Sequence, residues 1–257
     1  MEDRKQKFDT LAEEYERHRP RYPAELVRKL AGRLVRREDP HVVDAGAGTG
    51  ILLETLVPLL GPRARTAAVD VSSDMVDLGR AKFPQVHWSV GPVEPYLEAA
   101  TEVDLVTAAQ AYQWFDRPRF LAAAVKSLRP GGLVAVVQNN RDFAASAFLD
   151  AYESLLEELS PGYSRHYRAF DVAAELREVF EPAGGDVDVT TADWTMTLDA
   201  EDFTGFAKSS TQFQRGLTAH GEALLDRLTA LVDAHTTHGR VAIPYHSELF
   251  TAQLPRT

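Results

Sequence analysis

Three glycines and two carboxylates carry the most pointed chemistry in this chain. They lie in Val42-Val43-Asp44-Ala45-Gly46-Ala47-Gly48-Thr49-Gly50, with a second acid, Asp70, twenty residues beyond Gly50. β-Branched residues followed by alternating glycines and then Ile51-Leu52-Leu53 read as strand, turn and helix, the opening of a nucleotide-binding α/β unit. Glycine suits such a turn because the backbone must bend sharply and lie close to a ligand. Asp70 ends the next apolar stretch, where a carboxylate can accept hydrogen bonds from both ribose hydroxyls. The spacing excludes a dinucleotide fingerprint, whose third small residue would fall on Ile51. No Lys-Ser/Thr pair follows the glycines, which excludes a P-loop. Asp44 would repel a pyrophosphate, so a cationic, phosphate-free ligand fits better.

A regular succession of strands and helices positions these groups. The pattern predicts a first strand with its glycine turn over roughly 41–50 and further strands at 65–70, 86–90, 103–109 and 133–137, with helices between them. The first intervening helix should stop at Gly61-Pro62, and Ser72 offers an N-cap to the next. His87 and Trp88 alternate along the third strand and read as structural. The fourth strand runs into Gln110-Ala111-Tyr112-Gln113-Trp114-Phe115-Asp116. Ligands of open α/β sheets sit beyond the carboxyl ends of the strands, so this segment belongs at a reaction centre. Gln138, Asn139, Asn140 and Arg141 end the fifth strand at the same edge and read as a substrate rim. Before the first strand, helical patterns at 8–19 and 24–34 are separated by Arg19-Pro20-Arg21-Tyr22-Pro23. Beyond Arg141 an amphipathic helix, the basic and aromatic run Tyr163-Ser164-Arg165-His166-Tyr167-Arg168, a helix at 171–180, a strand at 186–196, helices near 200–208 and 224–232, and a closing strand from Arg240 follow. The run at 163–168 could attract an anion in an otherwise acidic protein.

The stretch 44–50 resembles the first motif of the class I S-adenosylmethionine-dependent methyltransferases, and Arg129-Pro130-Gly131-Gly132 resembles another of their landmarks. The segment 110–116 is similar to the "QA.HWFD" signature of the trans-aconitate methyltransferase-like and ubiquinone-type group, with Gln113 where the histidine stands. Phe8, Asp9, Ala12, Tyr15, Arg19, Pro20, Tyr22 and Pro23 match an N-terminal segment that closes over the cofactor in that group. The resemblance implies a doubly wound, mostly parallel seven-stranded α/β sheet with a helical substrate cap. It implies one domain over 1–257: a lid at 1–23, a cofactor-binding core at 24–140, and cap insertions at about 141–170 and 199–237. S-Adenosylmethionine would be held by Tyr15, Arg19, Asp44, Gly46, Ala47, Gly48, Gly50, Asp70, Val71, Met75, Val93 and Gln110. A guanidinium at Arg19 could pair with the cofactor's carboxylate. Pro92 stands where the family often has an acid for the adenine amino group, leaving that contact to Val93 or Glu94. Tyr22, Tyr112, Gln113, Trp114, Asn139 and Arg141 would meet the acceptor. Gln113 would orient it through its amide, and His166 is the candidate base. No metal is expected.

Bulk composition narrows the reading further. The 257 residues include no cysteine, so disulfides and thiolate metal sites are excluded. A formal charge of −10 argues against a nucleic-acid footprint. No run approaches a membrane span, and the charged N-terminus lacks an apolar signal region, so a cytoplasmic location is expected. Arg33, Arg36 and Arg37 read as a solvated helix end. The expected activity is methyl transfer to oxygen of a small-molecule carboxylate or hydroxyl. Carbon methylation of an activated acceptor and a non-catalytic cofactor-binding regulator are the alternatives; the oligomeric state, a homodimer included, stays open.

Overall fold

A computed structural model describes residues 12–34, 38–168 and 170–256. Two short helices, α1 (Ala12–His18) and α2 (Ala24–Gly32), precede the sheet. Then come β1 (His41–Ala45), α3 (Ile51–Leu60), β2 (Arg65–Asp70), α4 (Ser73–Lys82), β3 (His87–Val90), α5 (Val93–Ala99) and β4 (Val103–Ala109). The chain continues through α6 (Arg117–Ser127), β5 (Leu128–Arg141), α7 (Ala147–Leu159), α8 (Val172–Phe180) and β6 (Asp186–Asp199). It closes with α9 (Ala200–Lys208), α10 (Thr211–His220), α11 (Glu222–His235) and β7 (Arg240–Gln253). Phe8, Asp9, Arg36 and Arg37 lie outside the described residues.

The seven strands are ordered β3-β2-β1-β4-β5-β7-β6, with β7 antiparallel to both of its neighbours. The strand order reverses at β1 and β4, which opens a crevice beyond their carboxyl ends. Consecutive side chains of β1 supply opposite faces. Val43 packs with α5, α6 and α8 residues such as Leu97, Phe120 and Leu176, whereas Val42 packs with Leu26, Leu30, Leu52 and Leu56 of α2 and α3. Helices therefore cover both faces, and the central strands need apolar residues at nearly every position. A separate apolar cluster joins α7, α9, α10 and α11 through Phe148, Tyr152, Phe203, Phe206, Phe213 and Leu228. It packs on the distal half of β7 through Val241, Ile243 and Tyr245 and forms a helical cap over the crevice.

The expected strands at 65–70 and 103–109 match the observed ones. β5 and β7 are longer than the apolar runs suggest, at 14 residues each, because β7 pairs along β5 out to Arg141. The Arg129-Pro130-Gly131-Gly132 turn lies inside β5, where the β4–β5 register shifts between Val103 and Leu105. A Cβ on Gly132 would fall 2.8 Å from the Val103 carbonyl oxygen. The polar stretch 209–214 begins a helix, α10, capped by Ser210, whose Oγ accepts from the Phe213 N–H. Arg33 is anchored rather than solvated, donating to Asp186, Thr251 and Gln253.

Candidate active site

The glycine turn is stitched to β2, because the N–H groups of Gly46 and Ala47 both donate to the Val69 carbonyl at 2.8 and 3.1 Å. Gly46, Gly48 and Gly50 all have positive φ, between 55° and 81°, where a Cβ is strained. Their surroundings separate their roles. A Cβ on Gly46 would lie 2.5 Å from the Ala111 Cβ, and one on Gly50 would meet Phe83 and Trp88 at 3.0–3.2 Å. At Gly48 it would find only Tyr15, 3.9 Å away, across the open cavity.

That cavity, about 840 Å³, runs from the β1 and β2 ends to the cap. It is within the range of small-ligand sites, ~300–1,000 Å³. Its near end is lined by Gly46, Gly48, Asp70, Val71, Met75, Val93 and Glu94, its middle by Gln110, Gln113 and Trp114, and its far end by Asn139, Arg141 and 163–168. Tyr15, Arg19 and Tyr22 border it from the lid side.

Asp70 is held in place at the near end. Its Oδ2 accepts from the Gly48 N–H at 2.8 Å and its Oδ1 from the Ser72 N–H at 2.9 Å. Asp70 also lines the cavity. Asp44 lies beneath the turn, 1 % exposed; Oδ1 accepts from the Thr107 hydroxyl and Oδ2 has no hydrogen-bond partner. Burial raises the Asp44 carboxyl to about 7, although the Thr107 bond works against the shift. Asp44 does not itself line the cavity, so its expected cofactor contact is corrected to support of the glycine turn from below.

Gln110 takes a left-handed conformation, φ 55°, unusual for a residue with a Cβ. Its N–H donates to the Val137 carbonyl and its Nε2 to the Asn139 carbonyl. The Gln110 carbonyl in turn accepts from Gln113 Nε2 at 2.8 Å, and Gln113 Oε1 is a buried acceptor without a partner. The amide of Gln113 is thus oriented and still has an oxygen free for a donor.

Four expected site residues have other work. Tyr112 is fully buried and does not line the cavity; its hydroxyl donates to Glu175 Oε2 at 2.7 Å, and burial with this acid raises its pKa. This corrects the expected contact of Tyr112 with the acceptor: it anchors the turn at 112–114 from behind. Ala47 packs against the Leu53, Val76 and Trp88 cluster, and Gly50 clears room for Phe83 and Trp88, so both shape the turn rather than line the cavity. Asn139 reaches the cavity, but its Nδ2 donates to the Arg21 carbonyl and its Oδ1 accepts from the Ser247 hydroxyl, which makes it a brace for the segment between α1 and α2.

Arg141 is tied by Nε and Nη2 to Glu153 Oε1, at 2.8 and 2.6 Å, and the Tyr163 hydroxyl donates to Glu153 Oε2. Burial opposes the charge on Arg141, but the field of Glu153 more than offsets it and keeps the guanidinium firmly protonated. Glu153, Tyr245 and Glu248 all line the cavity and escaped the sequence reading. Glu153 had a signal: with Leu149, Tyr152 and Leu156 it falls on the apolar face of a helix, where a carboxylate needs a partner. His166 stands exposed at the rim, edge-on to Phe143 at 6.0 Å.

Residues 42–132 match a family model described as a methyltransferase domain. The chain is 38% identical over 135 residues to an uncharacterized methyltransferase of Mycobacterium tuberculosis, covering 52% of this chain and 53% of that protein. It is 32% identical over 174 residues to a trans-aconitate 2-methyltransferase of Deinococcus radiodurans, covering 63% and 64%. Residues 42–132 thus carry a methyltransferase domain, and the chain resembles the class I S-adenosylmethionine-dependent methyltransferases. It spans about half the length of the first curated relatives it matches. A candidate type II methyltransferase of Anaeromyxobacter dehalogenans shares the methyltransferase fold, with a TM-score of 0.68 at 23% identity over 92% of this chain and 99% of that one. A SAM-dependent methyltransferase of Thiobacillus denitrificans, solved with S-adenosyl-L-homocysteine, has a TM-score of 0.54 at 18% identity over 95% and 96%. The methyltransferase cofactor fits the residues present: a half-satisfied acid under the glycines, a cavity-facing Gly48, a pre-set Asp70 and apolar walls from Val71, Met75 and Val93.

Proposed function

We propose that the protein transfers a methyl group from S-adenosylmethionine to an oxygen, carboxylate or hydroxyl, of a small-molecule acceptor. One observation carries the reading: Asp70, Gln113 and the arginines of the cap line a single continuous cavity. When bound, the cofactor supplies an electrophilic methyl on a sulfonium. Asp70 would accept from the ribose hydroxyls, Asp44 would act from beneath the glycine turn on the cofactor's ammonium group, and Arg19 would pair with the cofactor's carboxylate. Val71 and Met75 pack on the nucleoside, with Val93 and the buried Glu94 at the adenine end.

The chain's own contribution to the reaction is alignment, which can be worth ~7–11 kcal/mol of barrier in a well-oriented site. Gln113, Trp114 and Tyr22 border the space beside the methyl and orient the acceptor. A carboxylate acceptor is already ionised near neutral pH and needs no base. For a hydroxyl acceptor, His166 at the rim takes the proton.

The resemblance to trans-aconitate 2-methyltransferases supports oxygen over carbon as the accepting atom. The test is to incubate the purified protein with methyl-labelled cofactor and a metabolite extract, and to follow the label by mass spectrometry. A labelled ester or ether is expected. A labelled carbon product would replace this reading with carbon methylation. Tight S-adenosylhomocysteine binding with no labelled product would favour a non-catalytic regulator.

A further inference from the structure

The cavity is bordered by four arginines, Arg19, Arg141, Arg165 and Arg168, that differ in one respect. Arg141 is neutralised by Glu153, and Arg165 by Glu157 and Asp150. Arg19 and Arg168 face no carboxylate within ion-pair distance among the described residues. The Arg19 guanidinium donates to the Ser209 carbonyl at 3.0 Å and lies over the Tyr15 ring. That of Arg168 donates to Asn140 Oδ1 at 3.2 Å and lies over the Tyr167 ring. Each keeps a buried Nε with no hydrogen-bond partner.

The orientation of Arg168 is fixed from behind. Asn140 Nδ2 donates to Glu248 Oε2 at 2.8 Å, which turns the amide oxygen toward Arg168. Both uncompensated charges border the same cavity, together with Tyr15 and Tyr22. Two like charges converging on a partly desolvated cavity are unfavourable unless anions lie between them. The planar guanidinium fork also suits a carboxylate in particular. The reading above gives Arg19 one such anion, the cofactor's carboxylate. The second guanidinium has none.

We propose that Arg168 is a specificity-determining residue that binds a carboxylate of the acceptor, so that the natural acceptors are small carboxylic acids. The proposal rests on the methyltransferase reading. It assigns the two guanidiniums to two different molecules, Arg19 of the lid to the cofactor and Arg168 of the cap to the acceptor.

The test uses the full chain, wild type and the variants Arg168→Gln and Arg168→Lys. S-Adenosylhomocysteine is titrated calorimetrically into each. Transfer of labelled methyl is then measured to a panel of small mono- and dicarboxylates and hydroxy acids, each beside its uncharged primary amide. Wild type should methylate members of the acid series and not their amides. Arg168→Gln should raise the KM for the accepted acid by about 10- to 100-fold, the range of a lost charge-assisted hydrogen bond. Its affinity for S-adenosylhomocysteine should stay within about twofold of wild type, and Arg168→Lys should recover part of the KM. The proposal is overturned if Arg168→Gln weakens S-adenosylhomocysteine binding and leaves KM alone, which would assign Arg168 to the cofactor. Equal transfer to acids and amides overturns it too, as does a wild type that binds S-adenosylhomocysteine yet methylates none of the acids. Absence of S-adenosylhomocysteine binding to wild type is a separate result and would remove the methyltransferase reading itself.

Discussion

Asp44 Oδ1 and Thr107 Oγ1 are 2.6 Å apart across β1 and β4, and this bond satisfies only half of a fully buried carboxylate. The other oxygen is the unpaired acceptor beneath the glycine turn. With its carboxyl raised from an ordinary 3.8 to about 7, the folded protein holds the Asp44 proton more tightly than the unfolded chain does. Between those values the native state binds more protons, so stability falls as pH rises from about 4 to 7 and is level in this respect above that. Denaturant unfolding across that range should show the decline, and Asp44→Asn should remove this component. The ammonium group of the ligand's amino-acid portion favours the ionised acid. S-Adenosylhomocysteine binding near pH 6 should therefore release protons and tighten toward pH 7.5 in wild type, with both effects lost in Asp44→Asn. Calorimetry in buffers of different ionisation heat reads the proton release directly.

Asp70 has two duties, so its variants should separate them. Asp70→Ala loses the ribose contacts and also the acceptor for the Gly48 and Ser72 N–H groups. Asp70→Asn keeps one side-chain oxygen. We expect about a 10- to 100-fold loss of S-adenosylhomocysteine affinity for Asp70→Ala and a smaller loss for Asp70→Asn. Unchanged affinity in Asp70→Ala would remove the assigned ribose contact.

The glycines should divide by cost. Gly46→Ala combines a left-handed backbone, worth about 1–2 kcal/mol, with overlap against Ala111, worth about 1–3 kcal/mol more. Gly48→Ala has the backbone cost alone, since its Cβ would enter the cavity. Denaturant unfolding should rank Gly46→Ala as the less stable. S-Adenosylhomocysteine titration should show Gly48→Ala losing affinity through the occupied space.

The segment around α1 is fastened to α3 and α4 by a four-residue ionic cluster. Glu16 of α1 accepts from Arg21 and Lys82 at 2.6 and 2.7 Å, and Glu54 of α3 accepts from the same two cations at 2.9 and 2.8 Å. Lys82 and Arg21 hold the Glu54 carboxyl below its ordinary range against the effect of burial. Such partly exposed pairs contribute up to about 1 kcal/mol and weaken with salt. Glu54→Gln should therefore speed release of S-adenosylhomocysteine by about two- to fivefold in stopped flow. The difference from wild type should shrink at about 1 M salt.

The sheet and the near half of the site are legible in the sequence because their causes are local. The apolar runs at 65–70 and 103–109 set strand identity, positive φ demanded glycine at 46 and 48, and Asp70 lies one strand-end beyond the turn. These residues act through the backbone next to them, so spacing alone reveals them.

Tertiary structure decided the rest, because direction and partnership depend on residues far apart in the chain. Tyr112 and Gln113 are adjacent, yet one turns into the core toward Glu175 and the other into the cavity. Arg141 looked like a free substrate contact until Glu153 paired with it from another element. Arg168 was one base in an aromatic run, and only the packing of the cap on β5 and β7 shows its charge to be uncompensated among the described residues. A carboxylate or guanidinium is written in the sequence; whether its charge is already neutralised is a matter of which side chain the fold brings within a few ångströms.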